Sequence, residues 1–213
     1  MGDRELVMRW VRGWAQVHSM RVEDVDGWPL VHVRRPSRET EIICVDPGRP
    51  AFDVLARHTA HDPLEMLTVV GRDLGPYLAP PLPPGLRVDR DDEVFMTTAL
   101  APSPVPVSDR FTSRWVDDGH RASYTVDDGE RVVSEGMVGV LGADAVIDAV
   151  ETSPGHRRQG LGRHVIGALT IWAVDHGART GLMAATADGA SLYTALGWDT
   201  TMVMWSLMGV RDD

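Results

Sequence analysis

Between Val150 and His164 the chain reads VETSPGHRRQGLGRH. Arg157, Arg158 and Arg163 gather there around Gly160 and Gly162, with His156 and His164 alongside, in a chain whose formal charge is −10. Guanidinium groups hold anions, and so do bare backbone amides. The flanking pattern says which amides. AVIDAVET reads as a strand that Pro154 and Gly155 end; from Gly160 onward Leu161, Val165, Leu169 and Trp172 recur at helical spacing. A strand, a glycine turn and a helix place the first helical amides, which lack intrahelical partners, at the turn. The helix dipole adds partial positive charge, and glycine keeps Cβ atoms from holding a ligand off the backbone. Phosphate is the usual occupant of such a turn, and the arginines suit a diphosphate better than a carboxylate.

Two phosphate-binding turns are excluded. A P-loop needs a lysine after its second glycine, and none follows Gly160 or Gly162. The dinucleotide fingerprint would need glycine where Val165 stands, and the hairpins ahead of it fit a parallel sheet badly. RRQGLG, Arg157 to Gly162, instead resembles the Arg/Gln-x-x-Gly-x-Gly/Ala turn of the GNAT N-acetyltransferase superfamily, with a proline three residues ahead of the arginine. LYTALGW, Leu192 to Trp198, is similar to that family's Leu-Tyr-x-x-Leu-Gly-Phe/Trp segment and follows at the expected distance. The resemblance runs from about Ala122 to Leu207. It implies acetyl-CoA as cosubstrate, with Arg157, Arg158, Gln159, Gly160, Leu161, Gly162 and Arg163 around its pyrophosphate. Main-chain groups of Val150, Glu151 and Thr152 would pair with the pantetheine amides, and an N–H of the same stretch would polarise the thioester carbonyl. Two positions depart from the pattern. Thr186 and Gly189 stand where members often carry Asn and Ala, seven and four residues before the tyrosine.

Acyl transfer to an amine also needs a proton acceptor at the amine and a proton donor at the leaving thiolate. Tyr193 is the candidate acid, since a phenol near pKa 10 and a thiol near 8.5 are close enough to exchange a proton. Its ordinary alternative is a core tyrosine that bonds a carbonyl. Asp148 is the candidate base. Period-two counting puts it on one face with Val146, Val150 and Thr152, and apolar neighbours raise a carboxylate's pKa. Glu135 and Glu151 are rivals. Trp172 and Trp205 read as core; chain order alone suggests Trp115 and His120 for an acceptor pocket. The resemblance implies transfer of an acetyl group to the primary amine of a small molecule. A CoA-binding sensor or scaffold, or an enzyme acting on protein amines, are the alternatives.

The elements that must position these residues follow. RASYTV and RVVSEGMVGVL alternate as strands around a DDGE turn, a strong hairpin signal. The second half then reads β-β-β-α-β-α-β, with Asp188 as cap of the last helix. The expected class is α/β (α+β), a mixed, mostly antiparallel sheet flanked by helices. ALAPSPVPVSD, Ala99 to Asp109, has prolines at alternate positions and makes an extended connector. It divides an N-terminal α/β region, residues 1–100, from the core, residues 101–213. In the first half the spacing predicts a helix over 5–17, strands over 30–34 and 41–45, a helix over 51–61 and a strand over 66–70. LAPPLPPG is a surface turn, and two strands fall between 86 and 100. That half carries no motif. From its strand-helix order alone it is read as a degenerate sister of the same fold without a phosphate turn, although no repeat is visible in the letters.

Composition sets outer bounds. The chain has 213 residues, 43% hydrophobic and 24% charged, as ordinary globular proteins do. Its acidity argues against nucleic acid as partner and is compatible with a cationic acceptor. No apolar run approaches the roughly 18–20 residues of a membrane span, and the charged opening is unlike a secretory leader. Cys44, the single cysteine, lies in EIICVD as a buried structural thiol. With no disulfide to form, the chain suits a reducing, cytoplasmic setting. His58 and His61 have no third ligand nearby, so no metal site is expected. A homodimer is left open.

Overall fold

Helix α1 (Asp3–His18) buries one stripe, Leu6, Val7, Trp10, Val11, Trp14 and Val17, as 3.6-residue periodicity requires. In the computed structural model, which describes residues 2–210, that stripe lies on a sheet whose strands come from both ends of the chain. The first half supplies β1 (Val22–Val25), β2 (Trp28–Arg35), β3 (Arg38–Val45), helix α2 (Gly48–Thr59), β4 (Glu65–Gly71), a short helix α3 (Gly75–Leu78) and β5 (Leu86–Ala99). The second supplies β6 (Thr112–Asp117), β7 (Arg121–Asp127), β8 (Val132–Leu141), β9 (Asp144–Thr152), α4 (Leu161–Asp175), β10 (Thr180–Ala185), α5 (Ala187–Thr194) and β11 (Asp199–Gly209).

All eleven strands join one sheet, in the order β1-β2-β3-β4-β11-β5-β10-β9-β8-β7-β6. Leaving the edge strand β6 aside, this order reads the same from either end once each strand of one half is matched to its counterpart in the other, β1 to β7 through β5 to β11. The pairings obey the same rule. β3 and β4 are parallel and joined by α2, while β9 and β10 are parallel and joined by α4. The chain therefore contains an internal two-fold repeat. It is sealed by exchange, because β11 pairs with β4 and β5, and β5 pairs with β10 and β11. The last strand of each half completes the sheet of the other.

The expected mixed, mostly antiparallel sheet with flanking helices is what forms. Three details differ. The two strands expected between 86 and 100 are one long strand, β5, whose register against β11 shifts three times. The shifts break the alternation that signals one continuous strand. Strands β1 and β6 are additions, edge strands with almost no buried residue and hence no hydrophobic pattern to read. Helix α5 is capped by Thr186, whose Oγ1 accepts the Gly189 N–H at 3.3 Å, and Asp188 sits inside the first turn instead. The proline-rich connector over 100–108 lies in no helix or strand and is pinned to α4 by a 2.5 Å bond between His164 Nδ1 and the Val105 carbonyl.

Helix α1 packs on strands of both halves. Trp10 sits edge-on to Phe95 of β5, ring centres 5.7 Å apart. Arg9 Nε donates to Asp144 Oδ2 of β9 at 2.7 Å. The approach is closest at Gly13, where a Cβ would overlap Val146 Cγ2. Gly13→Ala is accordingly expected to lower the unfolding free energy by about 1–3 kcal/mol through overpacking, despite alanine's better helix propensity. Urea titration measures this; a gain in stability would mean that α1 does not press on β9.

Candidate active site

The parallel pair β9–β10 holds for only three residues, from Thr180↔Asp144 to Leu182↔Val146. Beyond that point β10 stays with β5, through Ala185↔Val94, while β9 continues to Thr152 with β8 alone. The two strands part, and a cavity of about 1140 Å³ opens between their C-terminal ends. A bulge in β9 shapes its wall. Ala149 adopts φ 52°, and Ala149 and Val150 together face Gly136 of β8. The bulge overturns the period-two count. Asp148 stays with Val146 on the α1 face, whereas Val150 Cγ2 lies 3.1 Å from where a Gly136 Cβ would stand, beside Val165 and Leu169 of α4.

The glycine turn lies at the open end. A single 3-10 turn (Pro154–His156) leads into it, Arg158 takes φ 65°, and Gly160 takes φ 82° as the residue before α4. The two glycines act differently. Gly160 is needed for its left-handed conformation, while Gly162 brings α4 close to α5, a Cβ there standing 3.1 Å from Leu192 Cδ2. The amides of residues 158–163 have no hydrogen-bond acceptor among the described residues. Six such donors, at the positive end of a fifteen-residue helix, form an anion cradle. Arg157 Nε bonds the Thr152 carbonyl at 3.3 Å, and Gln159 is tied to Arg110 and to the Gly155 carbonyl. Arg158 and Arg163 are exposed and make no ion pair among the described residues.

Tyr193 and Asp148 line the same cavity. Tyr193 is 8% exposed, yet its hydroxyl bonds nothing among the described residues, unlike an ordinary core tyrosine. Burial, with help from the Asp148 charge, pushes the phenol up to about 12. Asp148 departs from expectation. Its Oδ2 accepts from His18 Nε2 at 2.5 Å and from Trp14 Nε1 at 3.1 Å. Burial pushes this carboxyl up, but the His18 bond and charge, the Ala149 N–H and the Trp14 indole outweigh it and hold it below its ordinary value. A raised-pKa base is therefore not what this position provides.

Val150, Glu151, Thr152, Arg157, Arg158, Gly160, Leu161, Gly162 and Arg163 also line the cavity. Glu135, Trp115 and His120 are not among its lining residues; Trp115 lies on the edge strand β6 and His120 in the turn after it. Trp172 and Trp205 are buried as expected, Trp205 stacked on Phe52. Two neighbours escaped the sequence reading, His18 from α1 and Glu93 from β5. Both lie in the half without motifs, more than fifty residues from the nearest lining residue of the second half.

The sister half has closed its version of this site. Strands β3 and β4 stay paired over six positions, Thr40↔Glu65 to Val45↔Val70, and the Asp46 N–H then extends the ladder to the Val70 carbonyl at 3.0 Å. Only Asp46 and Pro47 separate β3 from α2. The Gly48 N–H donates to the hydroxyl of Tyr77 at 3.0 Å, and Tyr77 lies on α3, which holds the place in the repeat that α5, the helix of Tyr193, holds in the second half. An internal hydroxyl thus takes the amide that an anion would need. Burial and the nearby Asp3 and Asp73 push the Asp46 carboxyl up at the same spot.

The bonded Asp148 carboxylate has a stability signature. A carboxyl held low contributes above its unfolded value near 3.9 and loses that contribution as pH falls through its folded value. Asp148→Asn is expected to lower the unfolding free energy at neutral pH by about 1–3 kcal/mol. The gap from the unsubstituted chain should narrow as denaturation is followed into the acid range. A gap independent of pH would remove the charged bond to His18.

The geometry matches known proteins. The model of the acetyltransferase (GNAT) family matches residues 92–198, about half of the chain. Among solved structures, a GCN5-related N-acetyltransferase from Kribbella flavida superposes with TM-score 0.66 at 15% identity, over 96% of this chain and 95% of that one. A putative GNAT-family acetyltransferase from Novosphingobium aromaticivorans gives 0.62 at 18% identity, over 97% of each. A tandem GNAT protein from the clavulanic acid biosynthesis pathway gives 0.57 at 15% identity, over 100% of this chain and 97% of that one. No curated protein sequence matches. Because the superpositions span nearly the whole chain, the N-terminal half shares the likeness. The chain belongs to the GNAT acetyltransferase family.

Proposed function

We propose that the protein transfers an acetyl group from acetyl-CoA to the primary amine of a small molecule. The observation that carries this is the parting of β9 from β10 above six unpaired amides, residues 158–163. A diphosphate satisfies those amides and draws on Arg157, Arg158 and Arg163. The β10-facing edge of β9 at Val150, Glu151 and Thr152 has no strand partner, so an extended amide-bearing arm such as pantetheine completes it as a further strand would. A thioester at the end of that arm lies between Asp148 and Tyr193. Acetyl-CoA supplies the activated acyl group; the chain's part is to hold it, polarise its carbonyl with a β9 N–H and manage protons.

Tyr193 keeps its proton at every working pH, because its pKa stands at about 12. It donates a hydrogen bond to sulfur as the C–S bond lengthens. Asp148 stays ionised, attracts a cationic acceptor and orients His18. A cavity of about 1140 Å³ suits a small acceptor beside the CoA arm, and the buried Cys44 suits a cytoplasmic setting.

Calorimetry with CoA is expected to give one site per chain, since the sister half has closed its own. Gly160→Glu should weaken that binding roughly tenfold or more, at least about 1.4 kcal/mol, by placing a carboxylate in the cradle. Unchanged affinity would put the diphosphate elsewhere. Tyr193→Phe should lower kcat by roughly 10²-fold with little change in the KM for acetyl-CoA. Tight CoA binding with no thiol release across a panel of amines would mark a sensor instead.

A further inference from the structure

We infer that Glu93, a residue of the N-terminal half, takes the proton from the acceptor amine. The inference rests on the acetyltransferase reading and completes it with the base that Asp148 does not provide. Glu93 stands on β5 one residue before the stretch that pairs with β10, Val94 to Ala99. It therefore sits where the sheet opens, and it lines the same cavity as Asp148 and Tyr193. Its side chain is 13% exposed. Arg90 Nη1 donates to its Oε1 at 2.9 Å, and Oε2 has no hydrogen-bond partner among the described residues. One oxygen is anchored and the other is available to an incoming N–H.

The rivals are placed differently. Asp148 has two donors on one oxygen. Glu151 and Glu135 are exposed, and Glu135 is outside the cavity lining. The charges around Glu93 come from several elements: Arg90 on its own strand, Glu41 and Arg38 on β3, Asp148 on β9 with His18 of α1 behind it, and the Tyr193 hydroxyl and Asp188 on α5. Burial pushes the Glu93 carboxyl up; Arg90 and Arg38 pull it only part of the way back, and Glu41 adds to the push. A carboxylate raised from its ordinary 4.3 is a better-matched proton acceptor near neutral pH. Two carboxylates facing one cavity also select an acceptor that arrives as an ammonium ion.

The step balances. Oε2 of Glu93 takes one proton from the ammonium, and the freed nitrogen lone pair attacks the thioester carbonyl carbon. The N–C bond forms, the C–S bond breaks, and the second proton of that nitrogen reaches the sulfur through the Tyr193 hydroxyl. Glu93 returns its proton to solvent. Ammonium and thioester give amide, thiol and one released proton.

The test measures thiol release from acetyl-CoA with an alkyl monoamine, a diamine and an amino sugar across about pH 5 to 9, for the unsubstituted chain, Glu93→Gln and Arg90→Gln. CoA affinity by calorimetry and thermal unfolding are followed on each. Glu93→Gln should keep CoA affinity within about twofold, lower kcat/KM for the amine by roughly 10²-fold and abolish the acidic limb of the pH profile. Arg90→Gln removes a charge that holds the carboxyl down, so its acidic limb should move to higher pH. That shift decides the matter if Glu93→Gln does not fold. A Glu93→Gln enzyme with full rate and an intact limb, or an Arg90→Gln limb that stays in place, overturns the assignment while the acetyltransferase reading survives. No thiol release from the unsubstituted chain with any amine overturns that reading, and the assignment falls with it.

Discussion

A strand that loses its neighbour must find another partner for its backbone, and in this protein that requirement is the origin of the site. Strand β9 runs six residues past its last pair with β10. The opening is built in from three sides. Strand β10 is held to β5 over its whole length, the Ala149 bulge bends β9, and Gly136 lets α4 sit close against β8. A side chain at Gly136 would collide with Val165 and Leu169, lift α4 and disturb the amides at its N-terminus. The anion cradle and the unpaired strand edge thus depend on the same packing. The sister half shows the other outcome. With β3 and β4 paired through Val45↔Val70 and Tyr77 on the Gly48 amide, that strand edge and that amide have internal partners.

Strand exchange turns two half-sheets into one and has a chemical consequence. Because β5 lies between β10 and β11, Glu93 reaches a cavity whose phosphate turn is more than sixty residues away in sequence. Because α1 crosses β9, Trp14 and His18 reach Asp148. The half whose own strands stay closed supplies groups that set the charge in the other. Burial of α1 against both halves, through Trp10 on Phe95 and Gly13 on Val146, leaves little freedom for these groups to move relative to the turn.

What the letters reveal follows from where the chemistry resides. Phosphate binding by backbone amides needs glycine at fixed offsets and a helix after it, so RRQGLG is legible. LYTALGW is legible because Tyr193 and Gly197 are tied to one short helix and its left-handed end. Period-two counting names Asp148 as candidate base and groups it with Val150, from which the bulge separates it, because one bulged residue inverts the alternation beyond it. Its direction of pKa shift was inverted too: the donors that lower it come from residues 14 and 18, which no local pattern connects to residue 148. The internal repeat is hidden for a related reason. It is carried by strand order and pairing, while the loops that would spell it out, DPG after β3 and SPGHRRQG after β9, have diverged in length and composition.

The two carboxylates of the cavity differ in what surrounds them, and the proposed reaction would divide its proton work accordingly. Asp148 is bonded by an imidazole and an indole and by its neighbour's N–H, and these favour its charged form. Glu93 has one guanidinium on one oxygen, which favours its charged form, but its burial and a second carboxylate, Glu41, nearby outweigh this and favour the neutral form. A group that must accept a proton and release it again in each cycle cannot be held hard in either state, whereas a group that attracts a cation must keep its charge throughout. Divergent environments for like groups are how one site carries out both tasks at one pH. Tyr193 fits the same division. With its phenol pushed up to about 12, well above a thiol near 8.5, Tyr193 gives up its own proton to sulfur unfavourably. The hydroxyl can hand a proton on only as it receives one from the attacking nitrogen. In the proposed reaction, attack and departure are coupled through a side chain that stays neutral, and the net proton would leave by way of Glu93, which the other half contributes.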